Sequence, residues 1–226
     1  CSIACTLTAM EVVGMVAGYS KGDITSAFGS GTIHTTNDRD SYAGGLVGEN
    51  GGTIKLSRFT GSILGGYTAG GLVALNEGTI SMCSARATVT GSYLLGGLVG
   101  YNEYMKSISR SFAEGTVTGG NTVGGLAGYN AGQIQNCFAL GQVEGGNRVG
   151  GLVGETHAKR EIRFCYSACR VAGSSLVGGL LGASSSGVPT IASCFWDTDS
   201  SGASDGVANT APDPNGVRGL PTSAMQ

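Results

Sequence analysis

Apolar residues recur along this chain in three columns, separated by stretches of Gly, Asn, Ser and Thr. The first column is Val16, Leu46, Leu72, Leu98, Leu126, Leu152 and Leu180. The second is Ile24, Ile54, Ile80, Ile108, Ile134, Ile162 and Ile191. The third is Leu7, Ile33, Ile63, Val89, Val117, Val143 and Val171. Short apolar segments rich in Ile and Val and bounded by turn residues read as strands. No window carries a helical i, i+3, i+4, i+7 stripe that outweighs them.

A glycine doublet marks each period: "AGGLVGEN", "AGGLVALN", "LGGLVGYN", "VGGLAGYN", "VGGLVGET" and "VGGLLGAS". Its first glycines are Gly44, Gly70, Gly96, Gly124, Gly150 and Gly178, at intervals of 26, 26, 28, 26 and 28 residues, and a looser copy starts at Gly14. A fixed period in this range marks a solenoid, propeller or array. Three strands with their corners use up such a period, whereas a propeller blade needs about 40 residues. The expectation is therefore an all-β parallel β-solenoid (β-helix). It has about seven triangular coils of 26–30 residues, three short strands to a coil, over residues 1–196. At a sheet spacing of ~4.8 Å the rod is roughly 35 Å long. Beyond Cys194 the third column stops, so 197–226 reads as a C-terminal cap or tail. "CSIACTLTAMEVVG" aligns with "CYSACRVAGSSLVG", so the chain is expected to begin in mid-coil, within a longer protein of further repeats or domains.

Composition fits this picture. Of 226 residues 42 are glycine and 4 proline, and 12 % are charged. Glycine at well over the usual share of about 7 % suggests tight corners with positive φ. A net charge of −2 offers no basic stripe, so nucleic acid is not an expected partner. No apolar run reaches the ~18 residues of a membrane span. A dinucleotide-binding turn occurs once, between strand and helix; this glycine run occurs six times with no helix after it, so it reads as architecture.

The repeated "GGLVG", "GGLAG" and "GGLLG", followed by "NEGTI" or "NAGQI" and by Cys-Phe/Tyr-Ala/Ser, resemble the GLUG-motif family of bacterial surface and secreted proteins. The ending "CFWDTDSSG…GLPTSAM" is similar to that family's array terminus. The resemblance covers nearly the whole chain, with "VGMVAG" and "GGLVAL" as departures. It includes adhesins like filamentous haemagglutinin and repeats beside peptidase domains. It implies an extracellular or cell-surface rod that attaches to a protein or glycan, or presents a distal domain, and it implies no reaction.

Candidate chemistry is sparse. Tyr93, Tyr101, Tyr104 and Tyr129 fall around the doublet, where aromatics could mark a ligand surface. "DTDSSGASD" places Asp197, Asp199, Ser201 and Asp205 at calcium-loop positions 1, 3, 5 and 9, without the acid at position 12; calcium at the cap is the one cofactor considered. Of seven cysteines, Cys83, Cys137, Cys165 and Cys194 share one repeat position, which suggests an internal thiol ladder. Cys1/Cys5 and Cys165/Cys169 share a C-x3-C spacing, which suggests a local disulfide across a corner. A carboxylate pair for polysaccharide cleavage would come from Glu77, Glu103 and Glu155, or from Glu114 and Glu144; Glu49, Glu103 and Glu155 read as one repeat phase. His34 and His157 are too far apart for a shared site. The chain is thus expected to be non-enzymatic, with a polysaccharide-acting enzyme or a peptidase's accessory module as the alternative.

Overall fold

The computed structural model describes residues 2–37, 39–157, 160–185, 187, 189–208 and 210–225. It is an all-β solenoid of about seven coils, in which every strand pairs in parallel with its equivalent one coil on. One coil runs Tyr42–Gly44, Val47–Asn50, Thr53–Lys55 and Arg58–Leu64. The four sheets built from these strands hold seven, seven, seven and nine strands among the described residues. We call them the doublet, asparagine, isoleucine and long sheets.

Four strands to a coil, and not three, is a correction to the sequence reading. The extra strand ends on the first glycine of the doublet, and carries its own buried column of Val13, Ala43, Ala69, Leu95, Val123 and Val149. That column is only three residues from the leucine column, too close to read as a separate strand in the sequence. The three columns that were legible are in register. Ile54, Ile80, Ile108 and Ile134 are paired residue to residue, as are Ile63, Val89, Val117 and Val143. Leu46, Leu72, Leu98, Leu126 and Leu152 each bond by backbone to the next leucine of the set. All of these are buried. The core is one continuous stack along the axis.

The glycine doublet serves close approach. A Cβ on Gly96 would stand 1.9 Å from the Val99 carbonyl oxygen, and one on Gly97 would stand 2.1 Å from the Gly125 oxygen and 2.9 Å from Ala113 Cβ. Two backbones and a neighbouring coil fill the space a side chain needs, so the doublet and asparagine strands can fold back on each other only with hydrogen at these positions. Neither glycine has a positive φ. Positive φ is found at other glycines, Gly65, Gly66, Gly119 and Gly120 among them at the corner after the long strand, while the corner before that strand is left-handed on non-glycine residues. Ser26, Leu56, Met82, Arg110, Asn136, Phe164 and Ser193 all have φ between 47° and 54°, at the corner leading into the long strand.

The tail belongs to the same sheet system. Cys194–Asp197 pairs with Tyr166–Gly173, and Val217–Leu220 pairs in parallel with Cys194–Asp197 as the last long-sheet strand. Between them a single helical turn, Thr198–Ser201, ends on Gly202 at φ 71°. Trp196 lies over Gly179, where a Cβ would meet the indole at 2.2 Å. Its Nε1 donates to Asp213 Oδ2 at 2.9 Å, and Asp213 Oδ1 accepts from the Gly206 and Val207 amides.

Candidate functional site

Two outward columns face each other across the doublet and asparagine strands. Leu94, Thr122 and Arg148 are in register on one side; Tyr101, Tyr129 and Glu155 are in register on the other. Leu94, Thr122, Tyr101, Tyr129 and Glu155, with Tyr93, line a cleft of about 220 Å³. Three of the four tyrosines expected to bind ligand are thus brought together. Tyr104 is not: it sits in the insertion after Asn102, about half exposed, with the Arg160 guanidinium 4.1 Å above its ring.

The rings of the cleft differ in what they offer. Tyr67 and Tyr93 are stacked, 4.7 Å apart and 13° from parallel, so each covers a face of the other. Tyr101 and Tyr129 meet edge to face at 5.1 Å and 87°, one of the two favoured arrangements of an aromatic pair. Tyr129 is also fixed at its hydroxyl, 3.4 Å from Ser185 Oγ. Burial, and then a hydrogen bond to the Glu103 carboxylate, push the Tyr101 phenol well above its usual pKa, so this ring is neutral. At the far end, Arg148 Nε lies 3.3 Å from Glu155 Oε2.

The carboxylates do not gather into one centre. Glu49 shares its register column with Leu75, Tyr101, Tyr129 and Glu155. Glu103 lies two residues beyond that column and lines a different cleft, of about 460 Å³, with Tyr19, Lys21, Glu77 and Lys106. Glu114 pairs with Arg86 at 2.8 Å and Glu144 with Arg170 at 3.8 Å, on the exposed face of the long sheet.

The calcium reading is not matched by the geometry. Asp197 caps the helical turn, its Oδ1 accepting from the Asp199 and Ser200 amides, and both its oxygens accept from Thr222 Oγ1. Asp199 Oδ2 accepts from the Thr222 amide, and Asp205 accepts from Ser204. Ser201 Oγ accepts from the Ala203 amide. The four residues turn their oxygens to protein donors, and among the described residues no group of three or more His, Cys, Asp or Glu is placed to hold a metal ion.

The local disulfide is overturned. Cys165 and Cys169 are both free and buried. Cys169 lies inside the extended strand Tyr166–Gly173, facing the core, and not at a corner. Four extended residues span roughly 13 Å, beyond the ~7 Å that a disulfide tolerates. Cys5 is free and half-buried; Cys1 lies outside the described residues. The shared position of Cys137, Cys165 and Cys194 does form a buried thiol stack, in which each thiol donates to the carbonyl two residues before it, Gln135, Arg163 and Ala192.

Sequence reasoning missed the polar counterpart of this stack. Asn50, Asn76, Asn102 and Asn130 are fully buried, each donating from Nδ2 to the next Asn Oδ1 at 2.8 Å, and the series ends on Thr156 Oγ1. The signal was present as the Asn that follows the doublet by a constant five residues.

No helix among the described residues is long and apolar enough to cross a membrane. No curated protein and no solved structure matches the chain. The family model described as the GLUG motif matches residues 65–90, 91–118 and 119–144 in succession. Each match covers one period of the solenoid, from the corner before a doublet strand to the end of the following long strand, so residues 65–144 carry three consecutive GLUG-motif repeats.

Proposed function

We propose that the chain is a non-enzymatic rod segment of a bacterial cell-surface or secreted protein, mediating attachment or presenting a distal domain. The observation that carries this reading is the unbroken register. Every coil is hydrogen-bonded to the next through all four of its strands, which makes a continuous, stiff element from a repeat that can be extended without limit. Three of the acids that could serve a reaction are engaged with arginines along the surface, Glu114 with Arg86, Glu144 with Arg170 and Glu155 with Arg148.

One observation favours the alternative of a polysaccharide-acting enzyme: Glu155 shares its cleft with Tyr93, Tyr101 and Tyr129. Glycoside cleavage requires a second carboxyl at ~5–10 Å, and the cleft lining supplies Glu155 alone. The test is incubation of the protein with a panel of neutral and acidic polysaccharides, followed by assay for new reducing ends and for unsaturated lyase products. A rod releases neither. Time-dependent products that vanish in Glu155→Gln would overturn the reading.

A further inference from the structure

We infer that the cleft between Leu94–Thr122 and Tyr101–Tyr129 is a binding site for a neutral glycan, lying along the solenoid axis across at least two coils. This assignment gives the attachment role proposed above a ligand class, and rests on that role only for its biological use.

The site is specified by how its rings are held. The stacked series Phe112, Phe138 and Tyr166 on the long sheet, with centroids 4.8 and 4.9 Å apart and planes within 6° of parallel, uses its faces internally and presents only edges. Tyr101 and Tyr129 are held perpendicular and half-buried in the cleft, so their rings are already ordered and cost little further entropy on binding. The C–H face of a pyranose ring is apolar and its rim is polar. Tyrosine rings beside Leu94 suit the former, and the Glu155 carboxylate in the same cleft suits the latter.

Charge sets the class. Arg148, the cation beside the cleft, is engaged by Glu155. An anionic sugar or a phosphate would find a carboxylate and no uncommitted cation there, whereas a neutral sugar finds an acceptor. Register sets the direction. Tyr101 and Tyr129 follow each other at the coil step of ~4.8 Å, of the order of one pyranose unit, so a chain along the axis meets an aromatic ring from each of two successive coils. A proline-rich peptide is the competing occupant, because tyrosine-lined grooves also take polyproline II helices. It is disfavoured because the Glu155 carboxylate in the cleft needs a donor, which a sugar hydroxyl supplies and a polyproline helix, with carbonyl acceptors and no N–H, does not.

The experiment is isothermal titration of the whole chain with cellohexaose, chitohexaose, hexagalacturonate and a decaproline peptide. The expected result is binding of a neutral hexasaccharide in the micromolar to millimolar range, at least tenfold tighter than hexagalacturonate or decaproline. Tyr129→Ala and Tyr101→Ala are expected to weaken it tenfold or more. Tyr129→Phe, which keeps the ring, should bind within threefold of the parent and guards against a folding defect in the alanine variants. Absence of binding to both neutral sugars, preference for hexagalacturonate or decaproline, or neutral-sugar binding unmoved by the alanine variants would each overturn the assignment. A failure of this kind leaves the rod reading standing, while release of cleavage products sinks the rod reading and leaves the site in place.

Discussion

Asn102 donates from Nδ2 to Asn130 Oδ1 at 2.8 Å, and neither side chain is exposed to solvent. The same bond joins Asn50 to Asn76 and Asn76 to Asn102, so the buried amide of each coil is satisfied by its neighbour along the axis. Asn76 further donates to the Gly78 carbonyl and accepts from the Gly78 amide, closing the corner of its own coil. Asn76→Ala removes these bonds and leaves buried partners on either side unpaired. It is expected to lower stability by about 2–3 kcal/mol, read as a drop in the urea midpoint without change in slope. The same change at exposed Lys55 should cost little, and equal losses at the two positions would deny the ladder its role.

The thiols set an alkaline limit on stability. Burial pushes Cys83 up to about 11, with smaller opposing bonds to Ser57 and Ser81. The hydrogen bond with Cys137, then the opposing bond with Cys194 and burial, place Cys165 at about 12. Burial places Cys169 at about 12 against its bond to Ser167. An unfolded thiol ionises near 8.5, so above that pH the unfolded chain sheds protons that the folded chain keeps. The stabilisation is intact below about pH 8.5 and declines as pH rises toward 11–12, by up to ~1.4 kcal/mol per pH unit per thiol. Denaturant titrations from pH 7 to 11 should show this loss, and Cys83→Ser should flatten it. At pH 8, iodoacetamide should label Cys5 in the folded protein and spare Cys83, Cys165 and Cys169, because the reactive species is the thiolate.

Much of this architecture was readable because like residues sit over like. The Leu, Ile and Ile/Val columns announced parallel stacking, and the cysteine position announced a thiol stack. What was unreadable depended on space and direction. The fourth strand hid beside the leucine column, since a turn made possible by glycine at 96 and 97 fits between residues 95 and 98. Cys169 read as a corner residue because its equivalents are Gly115 and Gly141, which have positive φ yet lie within long strands. The tyrosine-lined cleft was half legible. The tyrosines stood out by type, but Leu94 and Thr122 enter the cleft only through the strand that the columns did not show.

The cap hinges on Asp213, which ties Trp196 Nε1 to the Gly206 and Val207 amides. Asp213→Ala strands all three donors. A loss of about 2–3 kcal/mol is expected, with a red-shifted emission from the single tryptophan as the indole meets water. Asp197 adds a pH dependence of its own. Burial alone would raise its pKa, but the Thr222 hydroxyl and the Asp199 and Ser200 amides outweigh it and leave the carboxyl below its ordinary value. A depressed carboxyl stabilises above the unfolded pKa of ~3.9 and loses that contribution as pH falls through the folded one. Acid titration of Trp196 emission should therefore show the cap loosening below about pH 4, and Asp197→Asn should remove that step.

The left-handed corner offers the converse case, a place where the fold can be improved. Leu56 has φ 51° and is half exposed, so its side chain gains little burial for a conformation that costs a non-glycine residue about 1–2 kcal/mol. Asn adopts this region readily, and Asn136 already occupies it two coils of the same column beyond Met82, at φ 53°. Leu56→Asn is expected to raise stability by roughly 0.5–1 kcal/mol, whereas Leu56→Val, branched at Cβ, should lower it by about 1 kcal/mol. Chemical denaturation of the two variants beside the parent decides the matter. If valine is tolerated as well as asparagine, the corner is not under local conformational strain, and its geometry is dictated wholly by the stacking of the coils on either side.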